Sequence, residues 1–375
     1  MKFTPRYESL DHWRGLAALS VVLCHCVLHS PYATSADRPT EGAASWAVAF
    51  LAHGWVGVPL FFTVSGYCVC AAADRSRGRV GTYFLRRLRR IYPPYWACLT
   101  LCLALWPAFG HLWEAPPGGR FPDPIGLSAW QWAGNWTLTE LWRPRLVGEP
   151  ASLFLTQAWS LVYEEQYYLV VGLCLLCGRL FAGIALVTAV VLGLWLAGLA
   201  PERTFLDPYW LAFAAGALAY WSLVRAGRRG RLLAAMALTA SAAVLLWRYG
   251  HVLRLLHSVP EFGAAVGVAF ALTLVLLRPL DARLAGSRLL RPLGWVGVRC
   301  YSVYLIHWPV VKGVTAATFL AGVRTDAGIL LLTVPVGTAL SLLAGWWFHR
   351  AVERRFLNTR PTPNPEVSES SGDGP

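Results

Sequence analysis

The sequence predicts an all-α, polytopic integral-membrane bundle of about ten transmembrane helices, and three observations carry that prediction. Of 375 residues, 56% are hydrophobic and 14% charged, with a mean hydropathy of +0.47, whereas a soluble domain is about one quarter charged. Uncharged apolar runs of the length needed to cross about 30 Å of hydrocarbon recur along the whole chain. The basic residues then fall unequally on the two sides that those runs define.

Ten windows meet the length requirement: 12–30, 55–73, 91–110, 156–177, 180–200, 208–224, 231–249, 261–278, 298–321 and 327–350. The first carries Asp11, His12 and Arg14 at its start and no cleavage site, so it reads as a span rather than a removable signal. With the N-terminus in the cytoplasm, 24 of the Lys and Arg residues fall in cytoplasmic segments, eight fall outside and Lys312 lies within a span. The outer ones sit mostly in long loops, where charge influences insertion least. The net charge of +13 therefore reports topology, with both termini cytoplasmic, and predicts no nucleic-acid partner. The 19 Trp fit the two membrane interfaces. The nine Cys lie in or beside apolar runs and read as small hydrophobes, with no disulfide framework.

The membrane domain spans 1–356. Its 111–155 loop, rich in Pro, Gly and Trp, is too long for a plain connector and is expected to fold over the extracytoplasmic face. Residues 357–375 read as a disordered cytoplasmic tail. No internal repeat of the transporter kind is evident.

Ionisable groups inside spans are costly unless paired or wet, so they are the candidates for chemistry. On the first helix Asp11, Arg14 and His25 share one stripe, because eleven residues from Arg14 to His25 return to within about 20° of the same face. His25 then lies about 16 Å beyond Arg14. On the fourth span Glu164 and Glu165 sit about 12 Å below its outer end, a level similar to His25. Neighbouring side chains diverge by about 100°, so one of the two carboxylates faces any given partner. A His held by a carboxylate suits a general base on a hydroxyl, and a structural ion pair is the competing explanation.

Four arginines, Arg86, Arg87, Arg89 and Arg90, crowd the cytoplasmic edge of the third span. Guanidinium forks match phosphate groups, as on a nucleotide or coenzyme A, and lipid headgroups are an equally physical partner. Ser65-Gly66 on the second span permits close approach of a backbone or a bound chain. His307 lies near mid-membrane, where packing and substrate contact are both open. No zinc spacing, phosphate-cradling Gly loop, His-Glu-x-x-His or Gly-x-Ser-x-Gly elbow occurs, so no metal is predicted. Asn135-Trp136-Thr137 is a formal glycosylation sequon, meaningful only in a eukaryotic secretory route.

Leu10-Asp11-x-x-Arg14-Gly15 followed by His25, Phe61-Phe62 with Ser65-Gly66-Tyr67, Arg87-x-x-Arg90-Ile91-x-Pro93, Trp159-Ser160-Leu161 with Glu164-Glu165-Gln166-Tyr167-Tyr168, and Tyr301-Ser302 through His307-x-Pro309 occur in that order. Together they resemble the acyltransferase 3 family of integral-membrane O-acyltransferases, over about residues 7–356. The resemblance implies a ten-helix bundle of a bacterial inner or plasma membrane. It would pass an acyl group, usually acetyl, from cytoplasmic acyl-CoA to a hydroxyl of a glycan, lipid-linked sugar or similar acceptor, with acetyl-CoA a co-substrate and no bound cofactor. The mechanism expected has His25 as general base on the acceptor hydroxyl, Glu164 or Glu165 assisting, and Arg14 with Asp11 fixing the helix or the donor, with a covalent acyl-His intermediate as the alternative. Arg86, Arg87, Arg90, Ser65 and Gly66 would hold the donor, and Trp159, Ser160, Tyr168 and His307 the acceptor. Some members carry a fused extracytoplasmic domain, so here the bundle or a separate partner is expected to complete the reaction. A proton-coupled transporter using the His and Glu pair and a non-catalytic scaffold are the competing classes.

Overall fold

A computed structural model describes residues 7–33, 35, 38, 41–76, 79–114, 123–199, 206–250 and 260–357. The helices run in chain order: α1 (Leu10–Leu28), α2 (Ala43–Ala52), α3 (Gly57–Ser76), α4 (Val80–Glu114), α5 (Ala129–Thr137), α6 (Pro144–Val147), α7 (Trp159–Leu176) and α8 (Leu180–Leu196). They continue as α9 (Trp210–Val224), α10 (Arg228–Tyr249), α11 (Pro260–Leu276), α12 (Asp281–Gly286), α13 (Arg291–Val298), α14 (Cys300–Leu320), α15 (Asp326–Gly328) and α16 (Val334–Ala351). No strand occurs among the described residues, so the chain is all-α. Each of the ten apolar windows falls on a helix. Among the described residues, four helical stretches are long and apolar enough to cross a membrane, or five if the bent Pro260–Leu276 and Arg278–Gly286 pair counts as one. The exposed apolar side chains follow the periphery: α10 buries only 22% of its apolar window and presents Leu232, Leu233, Met236, Val244 and Trp247 outward, as a lipid-facing helix must.

Small residues set how closely the helices approach. At the α1 and α13 crossing, a methyl group added at Gly297 would lie 1.6 Å from the Asp11 carbonyl oxygen. At the α3 and α9 crossing, one added at Gly66 would lie 2.1 Å from the Phe213 carbonyl oxygen. Gly66 thus serves backbone approach and does not border the cavity described below. The first turn of α1 has no local side-chain cap; instead Asp281 of α12 accepts from the Glu8 and Ser9 amides at 2.8 and 2.9 Å, ordering the chain just ahead of the helix. α1 and α3 are antiparallel, since Gly57 meets Ala17 while Cys68, farther along α3, meets Arg14.

The 123–155 part of the long loop is a built unit. Ser128 and Gln131 form a capping box on α5, and Tyr95 of α4 donates to the Asn135 carbonyl at 2.7 Å. Arg143 lies in a fork with buried Glu140 (2.8 and 2.9 Å), whose hydrogen bonds hold the guanidinium above its ordinary basicity. The Asn135 amide is buried and spent on the Gln131 and Ser152 carbonyls, so the sequon offers no accessible acceptor. Of the predicted tail, positions 358–375 lie outside the described residues, as do 115–122 of the loop.

Candidate functional site

A cavity of about 300 Å³ runs inside the bundle, lined by α1, α3, α4, α7, α14 and the turn before α7. Its near end, beside the start of α1, holds Arg14, Arg87 and Arg90, and its far end holds His25 and His307. Arg14 and His25 lie on one helix about 16 Å apart by rise, so the cavity joins two chemically different ends.

Three elements build the near end. Arg14 Nη1 pairs with Asp11 at 2.9 Å and Nη2 reaches Cys68 Sγ at 3.0 Å, which fixes the guanidinium between α1 and α3. Asp11 itself does not line the cavity. Arg87 and Arg90, one turn apart on α4, line the cavity, while Arg86 and Arg89 point to the exposed side of the helix. Arg87 lies 5.5 Å over the Tyr168 ring and its Nε is buried without a hydrogen bond. Neither Arg87 nor Arg90 has a carboxylate partner among the described residues, which leaves two guanidiniums available to a phosphate. Glu164 of α7 accepts from Ser65 Oγ at 2.5 Å and from the Tyr168 hydroxyl.

The far end is built on α14. Pro309 has no amide hydrogen, so it cannot serve the carbonyl of Leu305. Gln157 Nε2 and Cys98 Sγ take that place at 3.0 and 3.4 Å, tying the turn before α7 to α14. Ser160 Oγ meets the Tyr304 hydroxyl at 3.0 Å, and Tyr304 also donates to the Gln157 carbonyl. Trp159 stands edge-on to Phe62 and Tyr163, and together with Ser160 it lines the cavity.

His25 and His307 face each other with Nδ1 and Nε2 2.8 Å apart and ring planes 6° from parallel. His307 Nδ1 lies 2.7 Å from the Tyr304 carbonyl and 3.1 Å from that of Val303. A carbonyl only accepts, so in a neutral ring His307 carries its hydrogen on Nδ1 and accepts at Nε2. His25 must then donate from Nδ1, leaving its Nε2 with a lone pair and no hydrogen-bond partner among the described residues. This is the tautomer a general base needs.

The structure therefore brings together Arg14, Ser65, Arg87, Arg90, Glu164 and Tyr168 at one end, and His25 and His307 at the other. Glu164 is not joined to His25. From the Ser160 and Tyr304 contact, Glu164 lies four residues one way along α7 and His307 three residues the other way along α14, an offset of about 10 Å. The sequence spacing suggested a common level because it assumed that α7 starts at the bundle surface. Its first turn instead follows the buried Gln157 and Ala158, held at the level of Leu305. Glu165 faces away from the cavity into a lateral cleft and accepts from the Tyr92 hydroxyl. Sequence reasoning missed the His25 and His307 contact, although both histidines fall within apolar spans. It also missed Gln157, whose only signal was a proline four residues beyond its acceptor.

A family model described as an acyltransferase domain matches residues 7–350. The membrane-bound transacylase BcsY of Komagataeibacter xylinus is 27% identical over 90% of this chain and 81% of its own length. The peptidoglycan O-acetyltransferase OatA of Listeria monocytogenes is 24% identical over 83% of this chain, which spans 51% of OatA. No solved structure matches. The match over nearly the whole helical bundle, and over every segment that lines the cavity, shows that the chain belongs to the acyltransferase 3 family and is a multi-pass membrane acyltransferase.

Proposed function

We propose that this acyltransferase takes an acetyl group from cytoplasmic acetyl-CoA and delivers it to a hydroxyl of a cell-envelope glycan or lipid-linked sugar, in a bacterial inner membrane with both termini cytoplasmic. The observation that carries this reading is the cavity itself, with two guanidiniums that have no carboxylate partner among the described residues at one end and the His25 and His307 contact at the other. Coenzyme A bound with its phosphates on Arg87 and Arg90 would extend its pantetheine arm past Glu164, Ser65 and Tyr168 toward His25. The acceptor hydroxyl gives its proton to His25 Nε2 as its oxygen attacks the thioester carbonyl. The carbon–sulfur bond then breaks, and the departing thiolate takes that proton from the imidazolium. His307 holds the other ring nitrogen, so the proton enters and leaves at one atom. The relative named a peptidoglycan O-acetyltransferase supports a glycan acceptor.

The test is thiol release from acetyl-CoA by the purified protein in lipid nanodiscs, with and without candidate oligosaccharides. Acceptor-dependent release with label appearing on the sugar is expected. Absence of release with every glycan and glycolipid supplied, from protein that binds acetyl-CoA, would overturn the acceptor class.

A further inference from the structure

The chain holds two lysines against 31 arginines, and among the described residues Lys312 is the single one. It sits on α14 five residues beyond His307, about 7.5 Å past the far end of the cavity along the helix axis and outside the cavity's lining. It is 2% exposed, within a 21-residue helix apolar enough to cross a membrane, and its ammonium nitrogen has no hydrogen bond or ion pair among the described residues. One helical turn below it, on the same stripe, Trp308 Nε1 is likewise buried without a partner. The Trp308 ring stands edge-on to His25 at 4.9 Å, so the stripe starts against the base and leads away from it.

Both of these groups are donors only. Each would be satisfied by an acceptor-only group, and the ammonium calls for a negative one. An unpaired cation at this depth is retained at high cost unless a ligand uses it. The residue type fits a site that is filled and emptied: an amine exists in either protonation state in a low-dielectric environment, whereas a guanidinium stays charged. Every other cation of the described bundle is an arginine, including those at the near end of the cavity.

We propose that Lys312 and Trp308 form an anion-binding subsite that holds a carboxylate or phosphate of the acceptor beside the hydroxyl to be acylated. The acceptor is thus an anionic sugar. The assignment of the anion to the acceptor rests on His25 being the base of the reaction; the anion site itself does not.

The test uses full-length protein labelled with [13Cε]lysine in nanodiscs, which gives two lysine signals, of which Lys312→Met removes one. Methyl glucuronide, glucose 1-phosphate and neutral methyl glucoside are titrated into the millimolar range. A saturable shift of the Lys312 signal with either anion and not with the glucoside supports the subsite, and the anion that acts identifies carboxylate or phosphate as its ligand. No shift with either anion, or the same shift with the glucoside, overturns it. The wild-type titration stands even if the variant does not fold. In transfer assays, Lys312→Gln is expected to lower the preference for the anionic over the neutral sugar, as a ratio of kcat/KM, by about 10- to 150-fold, the range of a lost charge-assisted hydrogen bond. An unchanged preference contradicts the acceptor assignment. A Lys312 shift without transfer to any sugar keeps the anion site and sinks the proposed reaction instead.

Discussion

Replacing His307 by Leu tests the most specific feature of the site, the fixed tautomer of His25. The substitution conserves much of the volume but removes the Nε2 atom that accepts from His25 Nδ1 at 2.8 Å. The His25 N–H is then left buried without an acceptor, a penalty of about 1–3 kcal/mol. The ring escapes that penalty by moving its hydrogen to Nε2, which eliminates the base. Either way the competent tautomer loses about 1–3 kcal/mol relative to the alternative, a fall in kcat of about 5- to 150-fold. His307→Gln is the control, since a side-chain carbonyl can accept the same hydrogen bond, and its kcat is expected to remain well above that of the Leu variant. The assay is the initial rate of thiol release from acetyl-CoA in nanodiscs, normalised to folded protein, with the unfolding midpoint measured on the same samples. Equal kcat for wild type, Leu and Gln at equal stability would refute the tautomer argument.

Arg87→Ala and Arg90→Ala are each expected to raise the KM for acetyl-CoA by about 10- to 150-fold, from the loss of about 1.5–3 kcal/mol per charged contact, whereas Arg86→Ala on the exposed side of α4 leaves it unchanged; donor titrations of the three variants decide whether the cavity-facing pair is special. Gly297→Ala places a methyl 1.6 Å from the Asp11 carbonyl oxygen, so α1 and α13 must separate, and a loss of about 1–3 kcal/mol from overpacking is expected as a lower unfolding midpoint in detergent. A single cysteine at position 229 in an otherwise cysteine-free chain is expected to react with an impermeant maleimide only after permeabilisation; labelling in intact cells would invert the orientation.

The helices were legible because membrane spanning is a one-dimensional constraint: a run of about 20 apolar residues bounded by charge or proline is visible without knowing any contact. The two cavity ends were only half legible. Arg14, Arg87 and Arg90 announce themselves as charges at a span edge, and the choice between Arg86 and Arg87 follows from which face α4 turns inward, which its sequence alone does not decide. The depth of Glu164 depends on where α7 begins, and that is set by Gln157 reaching the carbonyl left open by Pro309, a contact 148 residues apart in sequence. The His25 and His307 contact spans 282 residues and arises from the approach of α1 to α14, so the pairing appears only once those helices are packed. The Asp281 bonds to the chain just ahead of α1 are invisible in sequence for the same reason.

The account stands most directly on His25. His25→Ala, purified in nanodiscs and assayed for thiol release from acetyl-CoA per folded molecule, is expected to lose about 100- to 10,000-fold in kcat, the range of general-base catalysis, with the KM for acetyl-CoA close to wild type because Arg87 and Arg90 are untouched. Turnover per folded molecule near that of the wild type would contradict it.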